Sequence, residues 1–192
     1  MMKPRHLAAA AAAAVLATSA SAHAGMDTLD FESLGLGDLG TTTASLPDAT
    51  ITSGGVSLYD LSPFFFAGQG GAICALDATG HCEADMRIDF TTAVTNLTFQ
   101  TVGWDPGDHV TIYAFDGSTL VAMRNVRSDK TVNLGNVGPI TSLWFDDKST
   151  GAGMGYGAFC FTPAVPEPAS LGLLLAGLGV LGLKARRRGA EA

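Results

Sequence analysis

The chain has 192 residues, 47% of them apolar and 15% charged, with 11 Lys+Arg against 18 Asp+Glu and a net charge of −7. That length suits one domain of roughly 100–200 residues, and the apolar content excludes wholesale disorder. Residues 25–165 hold 5 basic and 16 acidic side chains, a net of −11, so this stretch repels phosphate backbones and a nucleic-acid partner is excluded.

Residues 1–24 read as a secretory signal peptide. Lys3 and Arg5 give a positive start, Leu7 to Leu16 is an apolar run dominated by alanine, and small residues lead to Ala22-His23-Ala24 before Gly25. This small-x-small ending predicts signal-peptidase cleavage between Ala24 and Gly25. The alternative, an N-terminal membrane anchor, needs about 20 apolar residues to cross a ~30 Å hydrocarbon layer, and this run is far shorter.

Residues 25–163 read as one exported all-β domain. Leu29-Asp30-Phe31-Glu32 opens it as an acidic strand, and Gly54-Gly55 marks a turn. Phe64-Phe65-Phe66, between Pro63 and Gly68, reads either as a strand buried on both faces or as an exposed aromatic loop that stacks on sugar rings or a partner. Cys74 and Cys82 flank a turn-like Leu76-Asp77-Ala78-Thr79-Gly80 and are the favoured disulfide pair, because exported cysteines oxidise. Cys160 is then left as a small buried residue. Zinc through Cys74, His81 and Cys82 lacks a fourth spaced ligand.

Alternation of apolar and polar residues marks strands at Met86 to Phe90, at Leu97 and Phe99, at Val110 to Ala114, and at Leu143 and Phe145. Asp105 to Met123 reads as a hairpin that turns at Phe115-Asp116-Gly117-Ser118, with Asp108 and His109 at a solvated turn. Short strands separated by Gly, Asn, Asp and Pro predict a jelly-roll-like β-sandwich rather than a closed barrel. No Gly-x-Ser-x-Gly, His-Glu-x-x-His or Walker pattern occurs, and His81 and His109 stand in no recognisable constellation, so no catalytic activity is expected.

Residues 164–192 form the other end. Val165-Pro166-Glu167-Pro168 precedes an uncharged stretch from Ala169 to Leu183, then Lys184-Ala185-Arg186-Arg187-Arg188. A helix over 169–183 spans about 22 Å at ~1.5 Å per residue, short of the ~30 Å bilayer core. Gly172, Gly177, Gly179 and Gly182 weaken it further. Lys184, Arg186, Arg187 and Arg188 form a basic stop that stays cytoplasmic, which places the acidic domain outside. Prolines on either side of Glu167 keep the backbone extended and open to a protease. An ordinary single-span anchor that is never cut is the competing reading.

A Pro-Glu-Pro triplet, a short Gly/Leu-rich span and a terminal Arg cluster resemble the PEP-CTERM sorting signal of exported bacterial proteins. The resemblance covers residues 165–188 and implies processing near Pro166-Glu167-Pro168 by an exosortase, in Gram-negative bacteria that make exopolysaccharide. It implies transient residence in the inner membrane, then the cell surface or the extracellular biofilm matrix.

The middle also resembles exported domains that accompany this tail. They begin with an acidic strand, carry an Asp-Pro-Gly-Asp turn, and close with an Asp-rich, Gly-rich stretch, here Phe145 to Gly151. Gly155-Tyr156-Gly157-Ala158-Phe159 departs from their pattern by lacking an acidic pair. No cofactor is expected. Calcium, which takes 6–8 oxygen ligands, would need Asp30, Glu32, Asp146 and Asp147 to converge from first and last strands lying side by side; the plainer reading is a soluble acidic surface. The expected role is a non-catalytic surface or matrix protein associated with exopolysaccharide, and the alternative is a lectin-like carbohydrate-binding module assisted by calcium.

Overall fold

The computed structural model describes residues 25–164, the whole of the acidic domain. The expected signal peptide, the Pro-Glu-Pro motif, the apolar span 169–183 and the expected basic stop lie outside the described residues. Among the described residues, no helix is long and apolar enough to cross a membrane.

Twelve strands follow in chain order: β1 Asp27–Thr28, β2 Gly37–Asp38, β3 Thr43–Ser45, β4 Ala49–Ser53, β5 Ser57–Asp60, β6 Ala72–Leu76, β7 Met86–Val102, β8 Val110–Asp116, β9 Thr119–Val126, β10 Lys130–Asn133, β11 Ile140–Asp147 and β12 Gly155–Pro163. The expected acidic first strand is instead a single 3₁₀ turn at Phe31–Ser33, in which Phe31 is buried and the backbone N–H of Leu34 donates to its carbonyl. The fold is all-β and the network open, running from β2 at one end to β9 at the other.

β7 organises the molecule. The sequence reads as two separate strands here, but one strand of 17 residues runs through both. Its first half lies between β4 and β11; its second half lies between β12 and β10. One layer is therefore β3-β4-β7-β11-β8-β9 and the other β2-β5-β6-β12-β7-β10, with β1 continuing alongside β12. The layers meet through aromatic rings. Phe145 of β11 lies 5.7 Å from Phe99 and 4.3 Å from Tyr156, centroid to centroid, and Phe99 stacks on Phe159 at 4.8 Å. Burying such rings dominates a core of this kind.

Three backbone irregularities accompany the passage of β7 between the layers, the first against β11, where Asp89 to Val94 takes five steps and Ser142 to Ile140 takes two. Thr95 pairs with Thr162 and Thr98 with Cys160, so β7 spends three steps where β12 spends two. The extra residue is Asn96, at φ +53°. It shifts the phase of the strand, so Val94 and Leu97 both reach the core although they are an odd number of positions apart. β12 compensates: between Cys160 and Gly157 it carries one extra residue, Ala158 at φ +48°, and the earlier register returns.

The hairpin expected at Asp105 to Met123 is present. β8 and β9 pair from Val110↔Val126 to Asp116↔Thr119, joined by Gly117-Ser118 with Gly117 at φ +58°. Asp108, expected at a solvated turn, is buried; its Oδ2 accepts the Asp105 backbone N–H at 3.0 Å. Cys160, expected to be buried, is half-buried and free. Alternation explains this, since Phe159 and Phe161 on either side of it take the core positions.

Candidate functional site

Cross-strand register aligns one residue from each of five strands: Thr52 of β4, Arg87 of β7, Trp144 of β11, Tyr113 of β8 and Met123 of β9. Their neighbours Ile51, Ile88, Leu143, Ala114 and Ala122 pair in the adjacent register and are buried. Period-two alternation thus directs the first row outward, onto the solvent face of this layer.

Tyr113 and Trp144 stack, with centroids 5.2 Å apart and planes 25° from parallel. Trp144 nevertheless stays 38% exposed. Toward β4 and β7 it borders a cleft of about 410 Å³ lined by Thr52, Ser53, Gly54, Asp85, Met86 and Arg87. Arg87 is held in place there. Its Nε donates to both Asp89 carboxylate oxygens at 2.8 and 2.9 Å, and its Nη2 donates to Ser142 Oγ at 3.2 Å. Those Asp89 hydrogen bonds raise the guanidinium pKa further, so Arg87 keeps its charge. Asp85 is anchored as well, accepting the Asp147 backbone N–H on Oδ1 at 3.0 Å. The cleft therefore presents one flat apolar wall, a fixed donor and a fixed acceptor.

Beneath this face lies a buried acid–phenol pair. Tyr156 is fully buried, and its hydroxyl donates to Asp147 Oδ2 at 3.0 Å, while Oδ1 accepts the Ser149 backbone N–H at 2.8 Å. Burial pushes the Asp147 carboxyl above its usual range; the Ser149 and Tyr156 hydrogen bonds oppose this and nearby Asp108 adds to it. Burial, then the Asp147 charge, holds the Tyr156 phenol well above its ordinary value.

The structure separates the residues expected to hold calcium. Glu32 Oε1 accepts the Gly68 N–H, Asp146 pairs with Lys148, and Asp147 is taken up by Tyr156 and Ser149. β1 and β12 do lie side by side, at Asp27↔Phe161 and Thr28↔Cys160, yet Asp30 and Glu32 fall beyond that pairing. Among the described residues, no group of three or more His, Cys, Asp or Glu is arranged to hold a metal ion.

Cys74 and Cys82 form a disulfide, with Cα atoms 5.4 Å apart. The bridge reaches a second loop: Cys82 pairs with Gly153, and its N–H donates to the Ala152 carbonyl at 2.9 Å. Gly153, at φ +77°, has no room for a side chain, because a Cβ would strike the Cys82 carbonyl. His81 sits exposed in the Asp77 turn beside Thr79 Oγ1, and His109 lines a smaller hollow with Trp104 and Arg127. Phe64-Phe65-Phe66 is a turn rather than a strand. Phe64 is 71% exposed and Phe66, at φ +60°, covers Gly157. Gly25, on the downstream side of the expected cleavage point, is exposed at the start of the described residues.

The chain thus pairs an all-β domain with a C-terminal sorting signal. Residues 164–188 match the PEP-CTERM protein-sorting motif. The motif implies export and exosortase processing to the cell surface. No curated protein and no solved structure is a significant match to the chain.

Proposed function

We propose that this chain is a non-catalytic protein of the bacterial surface or extracellular matrix, held briefly in the inner membrane by its C-terminal span and released or transferred by an exosortase. The observation that carries the reading is the sorting motif at 164–188, downstream of an acidic domain. Lys3, Arg5 and the Ala22-His23-Ala24 ending support export at the other end. The β-sandwich is read as jelly-roll-like, because successive strands cross repeatedly between the two layers: β3 and β4 in one, β5 and β6 in the other, then β8 and β9 back in the first.

Within that role the domain binds exopolysaccharide and carries no cofactor. The exposed, braced Trp144 at the lip of a cleft that also holds Thr52, Asp85 and Arg87 favours this carbohydrate-binding reading over an inert spacer. Intact-mass analysis of protein recovered from the cell surface tests the sorting reading. It is expected to lack residues 1–24 and the Arg186–Arg188 tail; a surface form that retains both ends contradicts it.

A further inference from the structure

We infer that the cleft between β4, β7 and β11 is a binding site for a neutral glycosyl unit of a polysaccharide, with Trp144 as its stacking wall. This rests on the carbohydrate-binding reading above and assigns it to specific residues. Pyranose rings are amphipathic: one face presents C–H bonds, while the edge presents hydroxyls that both donate and accept. A site for such a ring needs an aromatic plane fixed in orientation and polar groups of both kinds at its edge. Trp144 of β11 supplies the plane, and Arg87 of β7 with Asp85 just before that strand supplies the two kinds of polar group.

Tyr113 occupies one side of the Trp144 indole, at 5.2 Å between centroids, and so braces the ring rather than competing for its other face. The cleft lies toward β4 and β7, where Thr52 and Arg87 continue the same cross-strand row. Arg87 donates from a guanidinium already pinned by Asp89 and Ser142, so little side-chain freedom is lost when a ligand hydroxyl arrives. Asp85 supplies the acceptor, and its carboxylate is likewise anchored, through the Asp147 N–H. Thr52 is exposed on the β4 side and adds a hydroxyl. A volume of about 410 Å³ falls in the range of ligand pockets, roughly 300–1,000 Å³, and admits a sugar ring with its neighbouring linkage.

Charge selects the class of polymer. Arg87 and Asp85 line the cleft and Asp89 already pairs with Arg87, so these three groups leave a local net of −1, and residues 25–165 carry a net of −11 from 16 acids and 5 bases. A polyanionic chain is repelled over the approach, whereas a neutral one is not.

The purified full chain, kept in detergent, is titrated with neutral glucan and galactan hexasaccharides, with alginate oligomers as the polyanionic comparison. Binding is read by calorimetry, and folding by thermal melting. The wild type is expected to bind at least one neutral hexasaccharide and no alginate. Trp144→Ala should weaken that binding at least tenfold, and Phe64→Ala should leave it unchanged. Thr52→Arg, a surface substitution that fills the cleft, should do the same as Trp144→Ala and serves if the latter melts early. Equal binding by Thr52→Arg, or by a folded Trp144→Ala, and wild type overturns this site while leaving the carbohydrate reading standing. No wild-type binding to any neutral probe overturns both. Preference for alginate overturns the charge argument and the ligand class with it.

Discussion

Asn96→Val sets two physical expectations against each other. Asn96 is an exposed residue within a strand, so β-propensity alone predicts that valine stabilises, on a scale spanning about 1 kcal/mol. The bulge predicts the reverse. At φ +53° the residue occupies the left-handed region, which asparagine tolerates and a residue with a branched Cβ does not. The penalty for an ordinary side chain there is roughly 1–2 kcal/mol. Little packing confounds the comparison, since the one side-chain hydrogen bond, from Nδ2 to Thr162 Oγ1, is long at 3.4 Å. The variant should therefore lose about 1–2 kcal/mol, a fall of roughly 3–8 °C in Tm for a domain of this size. Asn96→Gly should stay within about 0.5 kcal/mol of wild type, because relief at positive φ offsets the added chain entropy. Urea unfolding followed by fluorescence of Trp104 and Trp144 measures both. A valine variant as stable as wild type, or more so, refutes the bulge and with it the explanation of the phase change between Val94 and Leu97.

The Asp147 carboxyl titrates above its unfolded value because it is buried, so at pH values between the two the folded state holds more protons than the unfolded one. Its contribution to stability therefore falls as pH rises from the ordinary carboxylate value of 3.8 through the folded pKa, by at most about 1.4 kcal/mol per pH unit. Asp147→Asn should flatten that decline in melts recorded from pH 4 to 8; an unchanged profile contradicts the assignment. Replacing Cys74 and Cys82 together by alanine should cost about 2–3 kcal/mol by the loop-entropy argument, measured by urea unfolding, with loss confined to a few tenths taken as refutation. Gly153→Ala should destabilise by roughly 2–4 kcal/mol in the same assay, through the clash with the Cys82 carbonyl and the positive φ; a neutral result contradicts the close approach.

Much of the fold is visible in local pattern. Alternation over Met86 to Phe90 and Val110 to Ala114 marks real strands, Gly117 marks a real turn, and the short spacing of Cys74 and Cys82 marks the bridge. What alternation conceals is a change of phase. Thr91 to Asn96 contains no glycine or proline to signal the bulge, so a single strand reads as two. The turn at Phe64 to Phe66 is hidden for the opposite reason: three aromatics look like a strand, yet Pro63 and the following glycines set the backbone.

The candidate cleft was illegible because its parts are distant in the chain. Thr52, Arg87, Tyr113 and Trp144 become neighbours only through the pairing of β4, β7, β11 and β8, which local alternation does not reveal. Burial of Asp108 was equally hidden, since its Asp-Pro-Gly-Asp setting has the composition of a solvated turn. The sorting signal, by contrast, is a linear motif and needs no fold to be read.

The most direct test of the account is a pulse–chase of the chain in its native host, comparing wild type with Pro166→Ala/Glu167→Ala/Pro168→Ala and following size and compartment together. Wild type is expected to convert from a membrane-bound precursor to a smaller surface form, while the triple variant accumulates as the uncut precursor in the inner membrane. Conversion of both at the same rate, or persistence of the intact wild-type chain in the cytosol, would contradict it.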